Sequence, residues 1–133
     1  MELIINHNSS QPIYEQIVGQ IKDMVMTGEL RPGDPITSVR VLAKELRIGV
    51  LTVQKAYDRL QREQVIESVV GKGTFVSDRN LARIEEEKDL LIEEKARDLI
   101  ELSRRYGLSR AELIRFIELL YDQDEGEKEI TDG

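Results

Sequence analysis

A glycine-tipped pair of β-branched runs, Val65-Ile66-Glu67-Ser68-Val69-Val70 and Thr74-Phe75-Val76-Ser77 around Gly71-Lys72-Gly73, interrupts a chain whose other patterned stretches are all helical. Such a pattern reads as a single β-hairpin. Three amphipathic stretches precede it. Ile13, Ile17, Ile21, Met24 and Val25 recur at helical spacing and predict a first helix over about 12–27, with Pro12 suited to its first turn and Gly28 to its stop. Leu30-Arg31-Pro32-Gly33-Asp34-Pro35 then accumulates turn formers. Ser38 can cap a short second helix whose inward face is Val39, Leu42, Ala43 and Leu46, and Gly49 ends the turn after it. A third helix is expected from about Val50 to Glu63, with Val53, Ala56, Tyr57 and Leu60 as its buried stripe.

Two short helices joined by a tight turn form a helix-turn-helix outline. Three helices and then a hairpin give the element order of a winged helix-turn-helix. Beyond the hairpin, Leu81–Tyr106 carries Ile84, Leu91, Ile92, Ala96, Leu99 and Leu102 among charged residues, which predicts one helix of ~39 Å. Glu93 with Arg97 and Glu101 with Arg105 are favourable i,i+4 pairs on it. Gly107 ends that helix, and Ser109-Arg110-Ala111-Glu112 is a capping box opening a last helix with Leu113, Phe116, Ile117 and Leu120 on one face. The expected fold class is mainly α with a small β-hairpin: a winged helix-turn-helix over 1–78, a helical dimerisation and effector-response hairpin over 79–122, and an acidic tail over 123–133 without structure.

Charge is distributed unevenly along the chain. The net charge of −7 resolves into −1 for residues 1–78 and −6 for 79–133, while 38–72 holds 7 basic against 4 acidic side chains. The segment containing the helix-turn-helix is therefore locally cationic, as a phosphate-binding surface requires. The chain has no cysteine, so disulfides, thiolate metal sites and cysteine nucleophiles are excluded, and a reducing, cytoplasmic setting is the simplest. His7 is the single histidine, and Glu85-Glu86-Glu87 reads as a solvated helix face rather than a metal site. Nothing resembles a catalytic constellation, a cofactor site, a signal peptide or a membrane span. Gly71-Lys72-Gly73 is not a nucleotide-binding loop, because Gly73 follows Lys72 where that motif needs Ser or Thr.

The Ser38-Val39-Arg40, Thr52-Val53, Ala56-Tyr57 and Gly71-Lys72-Gly73-Thr74-Phe75-Val76 blocks resemble the DNA-binding domain of the GntR family of bacterial transcription regulators over about residues 11–77. The short two-helix C-terminal part is similar to the YtrA-like subfamily, which lacks the large effector domains of other branches. The resemblance implies a repressor, commonly of transporter genes and controlled by a small-molecule effector, that binds double-stranded operator DNA. It places Arg40 on DNA from the start of the second helix.

Physical reasoning about the same residues leads to the same surface. The start of the third helix would enter the major groove, making Thr52, Gln54 and Lys55 candidate contacts, with Gln54 able to pair with adenine and Lys55 suited to phosphate. Ser38 and Arg40 join them, as does Tyr57 if its hydroxyl reaches a phosphate. Gly71, Lys72 and Gly73 form the wing tip, with Lys72 directed to the minor groove. Relatives usually carry polar or basic residues ahead of Thr52, where this chain has Gly49-Val50-Leu51; Val50 or Leu51 could pack on a thymine methyl. Arg47 and Gln64 stand where glycine is usual, and positive φ there costs about 1 kcal/mol.

Ile84, Leu91, Ile92, Leu99, Leu113, Phe116, Ile117 and Leu120 are the expected dimerisation residues of a homodimer reading a palindromic operator. Any effector pocket would lie between the long helix, its partner and the winged domain. A rival reading is a dimeric winged-helix interaction module that has lost specific DNA reading. Pairing of Arg40, Lys55 and Lys72 with Glu45, Asp58 and Glu67 would favour that rival; clustering of the three cations on one face would favour DNA.

Overall fold

The computed structural model describes residues 1–79 and 81–132, with Leu81 and 127–132 described by their backbone alone. The elements follow the order α1 (Ile13–Met26), α2 (Val39–Leu46), α3 (Val50–Arg62), β1 (Ile66–Val69), β2 (Gly73–Val76), α4 (Leu81–Arg105) and α5 (Arg110–Asp132). Two compact units divide the chain, Met1–Lys88 and the part from Asp89 onward.

In the first unit the apolar stripes of three helices converge. Ile17 and Ile21 of α1, Leu42 of α2, and Val53, Ala56 and Leu60 of α3 are at most 1% exposed. The hairpin closes this core through Ile66 and Val76. β1 and β2 pair antiparallel with Ile66 opposite Val76 and Val69 opposite Gly73. The region predicted as turns does more than turn. Gly33 N donates to Val76 O at 2.8 Å, Val76 N to Asp34 O at 2.9 Å and Ile36 N to Thr74 O at 2.9 Å, so 33–36 runs beside β2 as a third, irregular edge.

The N-terminal residues also acquire a place. The Gln20 side chain accepts from Ile4 N at 2.8 Å and donates to Ile4 O at 2.7 Å. Buried Gln16 accepts from Asn6 N and donates to both Asn6 O and Gln11 O. These two glutamines hold an arm whose Met1, Leu3 and Ile5 pack on the core.

The first unit extends through the opening turns of α4, beyond the boundary at 78 that the sequence suggests. Ile84, 9% exposed, belongs to the winged core. Its side chain, expected at a dimer interface, packs into the core of the domain that precedes it. Glu93 and Arg97 form their expected pair at 2.7 Å. Arg105, expected to pair with Glu101, instead lies 6.0 Å from the Tyr106 ring centroid.

The second unit turns at Gly107, whose φ of 76° is one that side-chain-bearing residues rarely adopt. The capping box is complete: Glu112 N donates to Ser109 Oγ at 3.2 Å and Ser109 N to Glu112 Oε1 at 3.3 Å. α5 continues to Asp132, so residues 123–132 are helical, where acidity predicted a tail without structure. Gln, Glu and Lys are good helix formers and no proline intervenes. No helix among the described residues is long and apolar enough to cross a membrane.

Candidate nucleic-acid interface

The start of α2 is set by Ser38, whose Oγ accepts from Val41 N at 3.3 Å. A cap of this kind fixes the first turn, and Arg40 projects from that turn as an exposed residue. α2 ends at Arg47 in the left-handed region, φ 56°, and the chain passes through Gly49 into α3. This tight turn lets α2 brace α3 while leaving the beginning of α3 uncovered.

The faces of α3 separate cleanly. Val53, Ala56, Tyr57 and Leu60 are buried, whereas Val50, Leu51, Gln54, Lys55 and Asp58 are exposed. Thr52 is half-buried at the edge. Two of the polar candidates have intramolecular partners. Gln54 Nε2 donates to Asp58 Oδ1 at 2.8 Å, one turn further along α3. Lys55 Nζ sits 3.9 Å from the centroid of the Tyr14 ring, a cation–π contact that steadies the ammonium without neutralising it.

Tyr57 does not belong to this surface. It is 2% exposed, and its hydroxyl donates to Thr37 O at 2.6 Å, so it cannot reach a phosphate. Burial, reinforced by the Glu45 carboxylate, pushes its phenol well above the usual tyrosine range. The apolar stripe that marks Tyr57 as core is the correct guide, and its hydroxyl is taken by a partner across the domain instead of facing a phosphate.

The hairpin tip is open. Val70, Gly71, Lys72 and Gly73 are all exposed, with Val70 wholly so. Lys72 N donates to Val69 O at 2.9 Å, and φ values of 78° at Gly71 and 107° at Gly73 supply a turn that other residues adopt only with strain. Behind the tip, Gln61 Nε2 donates to Ser68 Oγ, linking the end of α3 to β1, and Ser68 Oγ meets Thr74 Oγ1 at 3.4 Å across the strands. The tip is thereby carried on the same rigid unit as α3.

The pairing expected of the rival reading is absent among the described residues. Glu63 binds Lys22 at 2.7 Å and Arg59 at 3.8 Å, and Glu67 meets Arg79 at 3.9 Å. Among the described residues, Arg40, Lys55 and Lys72 take part in no ion pair. The acids named as their alternative partners are engaged elsewhere or stand apart, which leaves positive charge at the start of α2, on α3 and at the wing tip. Tyr14 and Val70 are the residues of this surface that sequence reasoning missed. The Tyr14–Lys55 contact joins positions 41 apart in a folded arrangement no local pattern encodes.

The second unit exposes a different surface. Leu91, Ile92, Leu99, Phe116 and Leu120 are 39–60% exposed, Ile117 is half-buried and Leu113 is 9% exposed. Leu90, Ile100, Ile114 and Leu119, not singled out from the sequence, add to it at 41–57%. Between α4 and α5 lies an open apolar groove of about 360 Å³, lined in part by Leu99, Ile100, Ser103, Leu113 and Ile117.

Comparison with known proteins agrees with this arrangement. Residues 13–76 match the model for bacterial regulatory proteins of the gntR family. The HTH-type transcriptional repressor YtrA of Bacillus subtilis (strain 168) is 38% identical over 125 residues, 93% of this chain and 96% of that protein. A crystal structure of a transcriptional regulator from Oenococcus oeni superposes with a TM-score of 0.70 at 27% identity, covering 88% of this chain and 97% of the other. The DNA-binding domain of AraR in complex with operator ORX1 covers 58% of this chain and 96% of its own, with 26% identity and a TM-score of 0.51.

Proposed function

The chain belongs to the GntR family of bacterial regulatory proteins, and on that premise we propose that it is a cytoplasmic homodimeric repressor that occupies a palindromic operator. Its DNA-binding domain is the winged unit, and its activity is regulation of transcription rather than catalysis. In this reading α3 enters the major groove with its exposed face towards the bases. Arg40 and Lys55 meet flanking phosphates, and Lys72 reaches the minor groove beside them.

The observation that supports this reading is that Arg40, Lys55 and Lys72, all exposed on the winged unit, take part in no ion pair among the described residues. A cation held out of ion pairs can release DNA counterions on binding, and that release is the main source of affinity for phosphate. The acidic balance of the rest of the chain discourages indiscriminate binding.

The second unit supports dimerisation. Its exposed apolar side chains, Leu91, Ile92, Phe116 and Leu120 among them, are the kind of surface that a second copy of the chain would cover. Two heads then address two half-sites, spaced at about one helical turn or a multiple, ~34 Å per turn. A small-molecule effector acting at the groove beside Ser103 and Leu113 would bias the arrangement of the α4–α5 hairpin between two states.

The test is binding to fragments of the DNA upstream of the protein's own coding sequence across a salt series, with Arg40→Ala/Lys72→Ala as comparison. Wild type is expected to prefer one fragment and to lose affinity steeply as salt rises. The double variant should bind at least tenfold more weakly and with a shallower slope. Equal, weak and indiscriminate binding by both proteins would instead support a winged protein-interaction module.

A further inference from the structure

The side chains at the start of α3 offer bases almost no hydrogen-bonding groups. Gly49, the N-cap, has no side chain, Val50 and Leu51 are apolar, and Thr52 is half-buried. Nothing in the backbone forces this choice at Gly49. Its φ is −67°, and a Cβ there would meet only Thr52 Oγ1, at 4.0 Å, so a polar cap would fit. Further along, the Gln54 amide donates to Asp58, and Lys55, over the Tyr14 ring, is a cation suited to phosphate rather than to a base edge.

What the first turn does present is hydrocarbon. Leu51 is 84% exposed and Val50 48%. One exposed leucine on a protein surface is ordinary. Leu51 differs in its setting: it has an apolar neighbour, stands on the turn best placed to touch base edges, and shares its unit with three unpaired cations. The major groove of B-DNA displays one hydrocarbon group, the C5-methyl of thymine.

We infer that Leu51, with Val50 beside it, reads thymine C5-methyl groups, so that each operator half-site contains a thymine recognised by its methyl and not by its hydrogen-bonding edge. This inference rests on the DNA-binding reading above and goes further by assigning the specificity-determining residue and the chemical group it selects. Uracil is the discriminating probe, because it keeps every hydrogen-bonding group of thymine and lacks only the methyl.

The experiment uses the full chain. A preferred site is first enriched from a random duplex pool, and each thymine within it is then replaced singly by deoxyuridine. In wild type, one or two positions per half-site should lose about fourfold in affinity, the effect expected for one buried methyl. Leu51→Ala, an exposed substitution whose folding is checked by circular dichroism, should bind the thymine and uracil duplexes alike at those positions while keeping the wild-type salt slope. Uracil tolerated at every position of a site that wild type still prefers would overturn the inference and leave the regulator reading standing. A Leu51→Ala protein that still distinguishes thymine from uracil would also overturn it. Failure to enrich any sequence would overturn both.

Discussion

The Tyr57 hydroxyl, in the middle of α3, donates at 2.6 Å to the carbonyl of Thr37, the residue before the α2 N-cap. One hydrogen bond thus ties the element meant for the major groove to the start of the element that carries Arg40. Tyr57→Phe keeps the ring in the core but leaves Thr37 O without this donor. We expect a loss of about 1–2 kcal/mol in stability by denaturant unfolding. Operator affinity should also fall, because Arg40 is held less firmly relative to α3, and a Thr52→Ala variant should show no comparable loss of stability.

The burial of Tyr57 has a pH signature. Burial, and secondarily Glu45, raises the Tyr57 phenol in the folded protein above its unfolded value. Its contribution to stability is therefore fully present below the ordinary tyrosine pKa of about 10 and is lost as pH rises beyond it. Unfolding followed between neutral pH and pH about 11 should show stability declining above pH ~10, and the decline should be smaller in Tyr57→Phe.

Ile84 and Phe116 make a contrasting pair, since the first lies in the winged core and the second is 55% exposed on α5. Ile84→Ala should cost about 2–4 kcal/mol and lower the melting temperature with no change in association. Phe116→Glu should retain helical content and sediment as a monomer. On a two-half-site duplex that monomer should bind at least tenfold more weakly than wild type, whereas on a single half-site the two proteins should be similar.

Arg47 closes α2 with φ 56°, a conformation that glycine adopts without strain. Arg47→Gly is expected to stabilise the protein by about 0.5–1 kcal/mol, the relief of left-handed strain exceeding the entropy that glycine adds to the unfolded chain. Thermal unfolding would detect this as a rise of a few degrees.

The α1, α3 and hairpin boundaries were legible because apolar period and glycine turns are local signals. Arg47 and Gln64 likewise stood where a left-handed residue was required, and both adopt positive φ. Other features escaped because their partners are remote. The arm held by Gln16 and Gln20 is built from side-chain amides on backbone, which leaves no periodic trace. The 33–36 edge was hidden by Pro32, Gly33 and Pro35, which read as turn. Ile84 fits the stripe of the long helix, and only the fold reveals that it serves the preceding core. Tyr57 was legible as core by spacing, but its hydroxyl partner lies 20 residues away.

The central claim is that two copies of this chain read a symmetric DNA site through α3 and the wing. Enriching a random duplex pool on the full-length protein, then measuring the mass of the complex with the enriched duplex, tests it most directly. The account predicts an inverted repeat bearing two protomers, with half-site centres separated by about one helical turn or a multiple. A single asymmetric site occupied by one protomer, or no enriched sequence at all, would contradict it.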